Sequence, residues 1–223
     1  MCGIVGYIGN RNGADIVLNG LKALEYRGYD SAGIALLDGK ARPKLVKQVG
    51  RVDGLEQLLK AEKPGKAPIA IGHTRWATHG KPSVINAHPH SNTSRDIFVV
   101  HNGIIENYME LKEWLQEKGY TFASETDTEV VPHLIDYYRK KTGSFEKAFV
   151  STIAKIRGAY AIVAMSAHDP DKLYAARLSS PMVIGIAKHE SIIASDPIPI
   201  TIGLLRRAAY SLSGSCALMA TMA

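Results

Sequence analysis

The second residue of the chain is a cysteine. A residue this small beside the initiator methionine permits removal of Met1, which would leave a thiol and a free α-amine on one residue. That amine titrates at about pH 7.7 to 8.0, against about 10.4 for lysine, so it can serve as a base near neutrality while the thiol serves as nucleophile. A buried cysteine at the head of a strand is the plainer reading of the same position. Two further groups of polar residues follow short apolar runs. His73-Thr74-Arg75-Trp76-Ala77-Thr78-His79-Gly80 comes after Ile69 to Gly72, and His101-Asn102-Gly103 after Ile97 to Val100. Arg75 can hold a carboxylate by a bidentate pair. Asn102 and the Gly103 N–H are the donor types that stabilise an oxyanion. Each has a structural alternative: a surface ion pair for Arg75, and a type I′ hairpin turn for Asn102-Gly103.

Two other patterns invite chemistry they do not support. His73, His79, His88, His90 and His101 lie close together in sequence, but no Cys-x-x-Cys or His-Glu-x-x-His accompanies them, so no metal is expected. Gly3, Gly6 and Gly9 suggest a nucleotide loop, yet the spacing is not Gly-x-Gly-x-x-Gly and there is no P-loop lysine. They read as close-packing or turn glycines, and no cofactor is expected.

The elements that must carry these residues can be read from periodicity. Cys2 to Ile8 reads as a buried strand. Ile16, Val17, Leu21 and Leu24 fall at helical spacing, with Gly28 as the stop. Ala32 to Leu37, Ile69 to Gly72 and Ile97 to His101 read as strands, and Leu55 to Lys60 as a short helix. Glu106 to Lys118 is an amphipathic helix ending before Gly119. Thr126 to Glu129 has the Thr-x-x-Glu spacing of a capping box opening a helix, with Pro132 near its first turns. A helix over Phe145 to Ile156 precedes strands at Ala159 to Ser166, Leu173 to Ala176 and Met182 to Ala187. Strands and helices cluster in pairs, which favours α+β over regular βαβ alternation.

With 223 residues and no linker or repeat, one domain over 1–223 is expected. The net charge of +6 is spread among acids, and the densest basic stretch, Arg42 to Lys66, lacks interleaved aromatics. It reads as a solvated surface, and nucleic-acid binding is not expected. Cys2 and Cys216 are too few for a secreted disulfide scaffold, no secretory signal opens the chain, and the uncharged segment Ala208 to Ala223 is too short to span a bilayer. A cytoplasmic protein without a membrane partner is the expectation.

Six ordered blocks resemble a known family. They are Cys2-Gly3-Ile4-Val5-Gly6, Tyr26 to Gly33, His73 to Gly80, Asn86 to His90, His101 to Asn107, and Ser124 to Glu129. Together they resemble the glutaminase domain of the glutamine–fructose-6-phosphate aminotransferase (glucosamine-6-phosphate synthase) family, among the class II, N-terminal-cysteine glutamine amidotransferases. The resemblance runs from Cys2 to about Asp196. It implies an N-terminal nucleophile hydrolase fold, a four-layer αββα sandwich. It also implies roles: Cys2 as nucleophile with its own α-amine as base, and Asn102 and Gly103 as oxyanion hole. Arg75 would bind the α-carboxylate of L-glutamine and Asp127 its α-ammonium. Trp76, Thr78 and His79 would line the pocket, and Arg27 would support it. Glutamine would pass through a γ-glutamyl thioester to glutamate and ammonia.

Members of that family continue into sugar-phosphate isomerase domains absent from this chain, so fructose 6-phosphate would act only through them, and a homodimer is an option for the longer protein. From about Pro197 the resemblance is lost, and residues 197–223 depart from the family pattern. Two alternatives stay open: the glutaminase part of a phosphoribosylpyrophosphate-type amidotransferase, which shares the opening Cys-Gly-Ile-Val-Gly, and an inactive homologue that binds glutamine or a partner chain.

Overall fold

The computed structural model describes residues 2–38, 40, 42–78, 80–203, 209–211 and 216–221. Its strands form two sheets. The first contains β1 (Gly3–Gly9), β2 (Ser31–Leu37), β3 (Pro43–Val49), β4 (Ile69–Arg75), β9 (Val183–Ala187), β10 (Glu190–Ala194) and β11 (Ala209–Ser211), in the order β11-β9-β10-β1-β4-β2-β3. The second contains β5 (His90–Ser91), β6 (Ile97–Gly103), β7 (Tyr160–Ser166), β8 (Lys172–Leu178) and β12 (Cys216–Thr221), in the order β12-β8-β7-β6-β5. Every ladder between these strands is antiparallel.

The apolar runs are continuous because both faces of each sheet are covered, and the two-residue period of a strand sorts each run between two cores. In β1, Val5 and Tyr7 face the helices α1 (Gly13–Ala23), α2 (Val52–Glu62) and α6 (Pro197–Gly203), meeting Val17, Leu21, Leu55 and Ile200. Ile4 and Ile8 point the other way, into a core shared with Phe98, Val100 and Val163 of the second sheet. In β6, Ile97 and Val99 meet the helices α3 (Tyr108–Glu117), α4 (Val130–Thr142) and α5 (Phe145–Lys155) through Leu115, Leu134 and Phe149. Three cores between four layers make the αββα sandwich, and the α+β class is as expected. Each fully buried Ile, Val or Phe in the central core contributes about 1.5 to 3 kcal/mol. A one-residue slip of β1 or β6 would exchange its two cores, so register is strongly set.

Most expected elements are present; α2, β4, β6 and β8 run longer than expected, and α3, α5, β7 and β9 are a residue or more shorter. The helix carrying Ile16 to Leu21 stops at Ala23, and a 3₁₀ turn over Glu25–Arg27 then reaches Gly28. The helix α3 ends at Glu117 with Lys118 as its cap, and Gly119 follows with φ +86°. Gly3 is a packing glycine: a Cβ there would lie 2.6 Å from Thr74 Oγ1 and 2.8 Å from Leu24 Cδ1.

Three readings are corrected. The basic stretch from Arg42 to Lys66 is not simply solvated, since it folds as β3 and α2 and buries Val46, Val52, Leu55 and Leu59. Two of its lysines pair with acids, Lys44 with Glu62 and Lys60 with Glu56, and Lys47 donates to the Ile85 and Ala87 carbonyls. The capping box is not formed. Glu129 reaches past Thr126 to accept from the backbone N–H of Ala123 and Ser124, and the Thr126 hydroxyl bonds His90 Nε2 at 3.0 Å. Thr126 is buried, so its hydroxyl serves the interior network. Asn102-Gly103 is no hairpin turn: both residues lie in β6 and pair with Ala161 and Tyr160. The strand β10 and the elements after Pro197 were not anticipated. Within the divergent segment, β11 pairs with β9 and β12 with β8, closing an edge of each sheet.

Candidate active site

The antiparallel sheets bring three chain segments to one place. Pairing of β1 with β4 sets Gly3 against Thr74, so Cys2 emerges beside Arg75 and Trp76. The Cys2 thiol lies 3.2 Å from the Trp76 N–H that donates to it. Asn102 and Gly103 end β6, and Asn102 Nδ2 donates to the Cys2 carbonyl oxygen at 3.2 Å. A 3₁₀ turn over Asp127–Glu129 supplies Asp127, one carboxylate oxygen of which accepts from the Ile105 N–H at 2.8 Å. A cavity of about 520 Å³ is bounded by Cys2, Arg75, Asn102, Gly103 and Asp127. Arg27, Trp76 and Thr78 complete the expected set on its walls. His79 lies outside the described residues.

Charge in the cavity is divided. Arg75 is 3% exposed and donates through Nη2 to the Gly80 carbonyl at 3.0 Å. Asp127 is 6% exposed. A buried cation and a buried carboxylate on one cavity suit a ligand with both charges, such as an amino acid. Arg27 forms an ion pair with Asp196, a contact that ties the 3₁₀ turn to the end of β10. Burial pushes the Cys2 thiol above its ordinary 9.0, against the opposing pull of the Trp76 N–H and Arg75. A thiol in that state is a poor nucleophile at neutral pH unless a base takes its proton.

His88 and His101 line the cavity, and His73 and His90 pack behind them. His88 Nε2 and His101 Nδ1 both bond Thr128 Oγ1, at 3.0 and 2.8 Å, and His73 Nε2 bonds Asn102 Oδ1 at 2.9 Å. Burial drives His73 down to about 3, and His88, His90 and His101 are lowered by the same cause, so the layer is neutral. Among the described residues no group of three or more His, Cys, Asp or Glu is placed to hold a metal ion, and no helix is long and apolar enough to cross a membrane.

A family profile described as a glutamine amidotransferase domain matches residues 73–200, more than half of the chain. The chain belongs to the glutamine amidotransferase domain family. Among curated relatives, a glutamine–fructose-6-phosphate aminotransferase (isomerizing) of Clostridium acetobutylicum is 53% identical over 197 residues, covering 88% of this chain and 32% of the relative. The enzyme of the same name from Escherichia coli K12 is 50% identical over 200 residues, covering 90% and 32%. This amidotransferase domain therefore spans about a third of the length of the curated relatives it matches. Among solved structures, glutamine phosphoribosylpyrophosphate amidotransferase from B. subtilis superposes with a TM-score of 0.77 at 27% identity, over 95% of this chain and 44% of that one. The allosteric regulatory enzyme of purine biosynthesis gives 0.80 at 26%, over 99% and 47%. The four layers are thus those of the N-terminal nucleophile amidotransferases, and the domain is of an enzymatic class.

The sequence did not single out the rest of the cavity wall. Thr126 and Thr128 flank Asp127 within a block already noted, but the spacing there marks Thr126 as a helix cap and assigns Thr128 no role. Ser180 and Pro181 reach the cavity from the loop between β8 and β9 and carried no local signal.

Proposed function

We propose that the domain hydrolyses L-glutamine to glutamate and ammonia with Cys2 as nucleophile. The observation that carries the reading is the Cys2 thiol, one residue from the chain start, on the same cavity as Asn102, Gly103, Arg75 and Asp127. Removal of Met1 frees the Cys2 α-amine. The amine accepts the thiol proton and the sulfur attacks the side-chain amide carbon, forming the S–C bond and a tetrahedral oxyanion. Asn102 Nδ2 and the Gly103 N–H stabilise that oxygen. The C–N bond breaks as the amine returns its proton to the leaving nitrogen, giving ammonia and a γ-glutamyl thioester. Water then adds to the thioester, the S–C bond breaks, and glutamate leaves with the thiol restored. Arg75 binds the α-carboxylate and Asp127 the α-ammonium, with Trp76 and Thr78 around them and Arg27 supporting the wall.

The relatives near 50% identity are named for fructose 6-phosphate, whereas the phosphoribosylpyrophosphate enzyme stands at 27%. This difference favours ammonia supply to fructose 6-phosphate in a longer protein that includes isomerase domains. The experiment is to incubate the Met1-free protein with glutamine and fructose 6-phosphate and to quantify glutamate, ammonia and amino sugar. Equal glutamate and ammonia without amino sugar are expected from this chain alone. No glutamate would overturn the hydrolase reading in favour of a glutamine-binding module. Amino sugar would show an acceptor site within these residues.

A further inference from the structure

Asn102 can donate to an oxyanion only if its carboxamide is turned with nitrogen toward Cys2. The oxygen and nitrogen of an asparagine have nearly the same shape, so a neighbour must choose between the two orientations. His73, in the middle of β4, is completely buried, and its Nε2 lies 2.9 Å from Asn102 Oδ1 and 3.1 Å from the backbone carbonyl oxygen of His101. A carbonyl oxygen only accepts. Nε2 must therefore carry the ring proton, and a donor there demands an acceptor from Asn102. The opposite carboxamide orientation would set two buried donors face to face. The nitrogen is thereby left on the Cys2 side, where it donates to the Cys2 carbonyl at 3.2 Å.

We infer that His73 is a positioning residue for the proposed reaction: its Nε2–H, shared between the His101 carbonyl and Asn102 Oδ1, locks the Asn102 carboxamide with its NH₂ toward the reacting carbon. The inference rests on the reading of Asn102 as an oxyanion donor. Other observations agree with it. Among the described residues Nδ1 of His73 has no hydrogen-bond partner, so none of them competes for the Nε2–H tautomer. The His88 ring packs at 4.2 Å and 47° against His73, and is itself tied to Thr128. Burial keeps the His73 ring neutral across the range in which enzymes are assayed. The donor pattern therefore does not change with pH there.

His73→Leu removes the donor, while His73→Gln places an amide N–H near the same point. The Leu variant should lose roughly 10- to 100-fold in kcat with KM for glutamine within about threefold, because the lost contact acts on the transition state. The Gln variant should recover most of that loss. Combined with Asn102→Ala, His73→Leu should add less than about threefold, since the residue it positions is gone. Equal losses in the Gln and Leu variants, or losses that multiply in the double variant, would overturn the inference. The outcomes separate the two claims. If Asn102→Ala leaves kcat unchanged, the oxyanion assignment fails. If Asn102→Ala slows hydrolysis and His73→Leu does not, only the His73 role fails. Should His73→Leu not fold, ¹⁵N spectra of the unaltered protein decide: a neutral ring protonated on Nε2 is required, and protonation on Nδ1 would refute the lock.

Discussion

Replacing Gly103 by alanine tests whether the end of β6 is built for its position or merely tolerates a small residue. Gly103 has φ +119°, a conformation that side chains rarely adopt. An alanine Cβ there would stand 2.0 Å from the Ala159 carbonyl oxygen and 2.9 Å from Tyr160 Cα, both backbone atoms of the adjacent segment at the head of β7. That same oxygen accepts the Ile104 N–H at 2.9 Å. Normal contact needs more than 1 Å of separation to open between β6 and the segment leading into β7, and no rotamer can relieve the clash. Strain at such a φ costs about 1 to 3 kcal/mol, and forcing an added carbon into packed surroundings a further 1 to 3. A loss of roughly 2 to 6 kcal/mol lowers the melting temperature by roughly 4 to 24 °C for a domain of this size. The displaced atoms include the Gly103 N–H and the adjoining Asn102, so kcat should fall by about 10²-fold or more even at temperatures where the variant is folded. Thermal unfolding and glutamate release at 15 °C measure the two effects separately. A variant melting within 2 °C of the parent, or one that is folded and hydrolyses glutamine normally, would refute the argument.

Cys2→Ala should abolish hydrolysis while leaving the fold intact, and an electrophilic glutamine analogue should label Cys2 and spare Cys216, as read by peptide mass spectrometry. Protein that retains Met1 should be inactive, because an acylated Cys2 nitrogen cannot take up the thiol proton; activity in a preparation whose intact mass includes Met1 would count against the α-amine as base. Asn102→Ala should lower kcat by roughly 10² to 10³ with little change in KM, whereas Asp127→Asn should act mainly through glutamine binding. The buried histidines set a pH limit. His73 is lowered from 6.5 to about 3 by burial, and His88, His90 and His101 are lowered too, so the unfolded chain binds more protons than the folded one below pH 6.5. Their contribution is whole above that pH and is lost as pH falls toward 3, at up to about 1.4 kcal/mol per pH unit for each ring; urea unfolding at pH 7, 6 and 5 should show falling midpoints, and constant midpoints would refute the neutral layer.

Local pattern determined much of this protein. The stretches Cys2 to Ile8, Ile69 to Gly72 and Ile97 to His101 were legible as strands from their short apolar runs, and the ordered blocks around Cys2, Arg75, Asn102 and Asp127 already contained the charged and polar groups of the candidate site. Their convergence on one cavity was not legible, because it depends on β1 pairing with β4 across some 60 residues and on two sheets stacking through Ile4, Phe98 and Val163. The tertiary structure also decided where single-residue signals competed. Thr126 and Glu129 have the spacing of a cap, but burial diverted the hydroxyl to His90 and the carboxylate to the Ala123 and Ser124 amides. Four histidines of the ambiguous sequence cluster, His73, His88, His90 and His101, are neutral ring donors and acceptors because the stacked layers exclude water from them. Ser180 and Pro181 lie on the segment that passes from β8 in one sheet to β9 in the other, and it is this crossing that brings them to the cavity wall. A strand's period tells which way each side chain points, but only the pairing of strands far apart in the chain decides what it meets there.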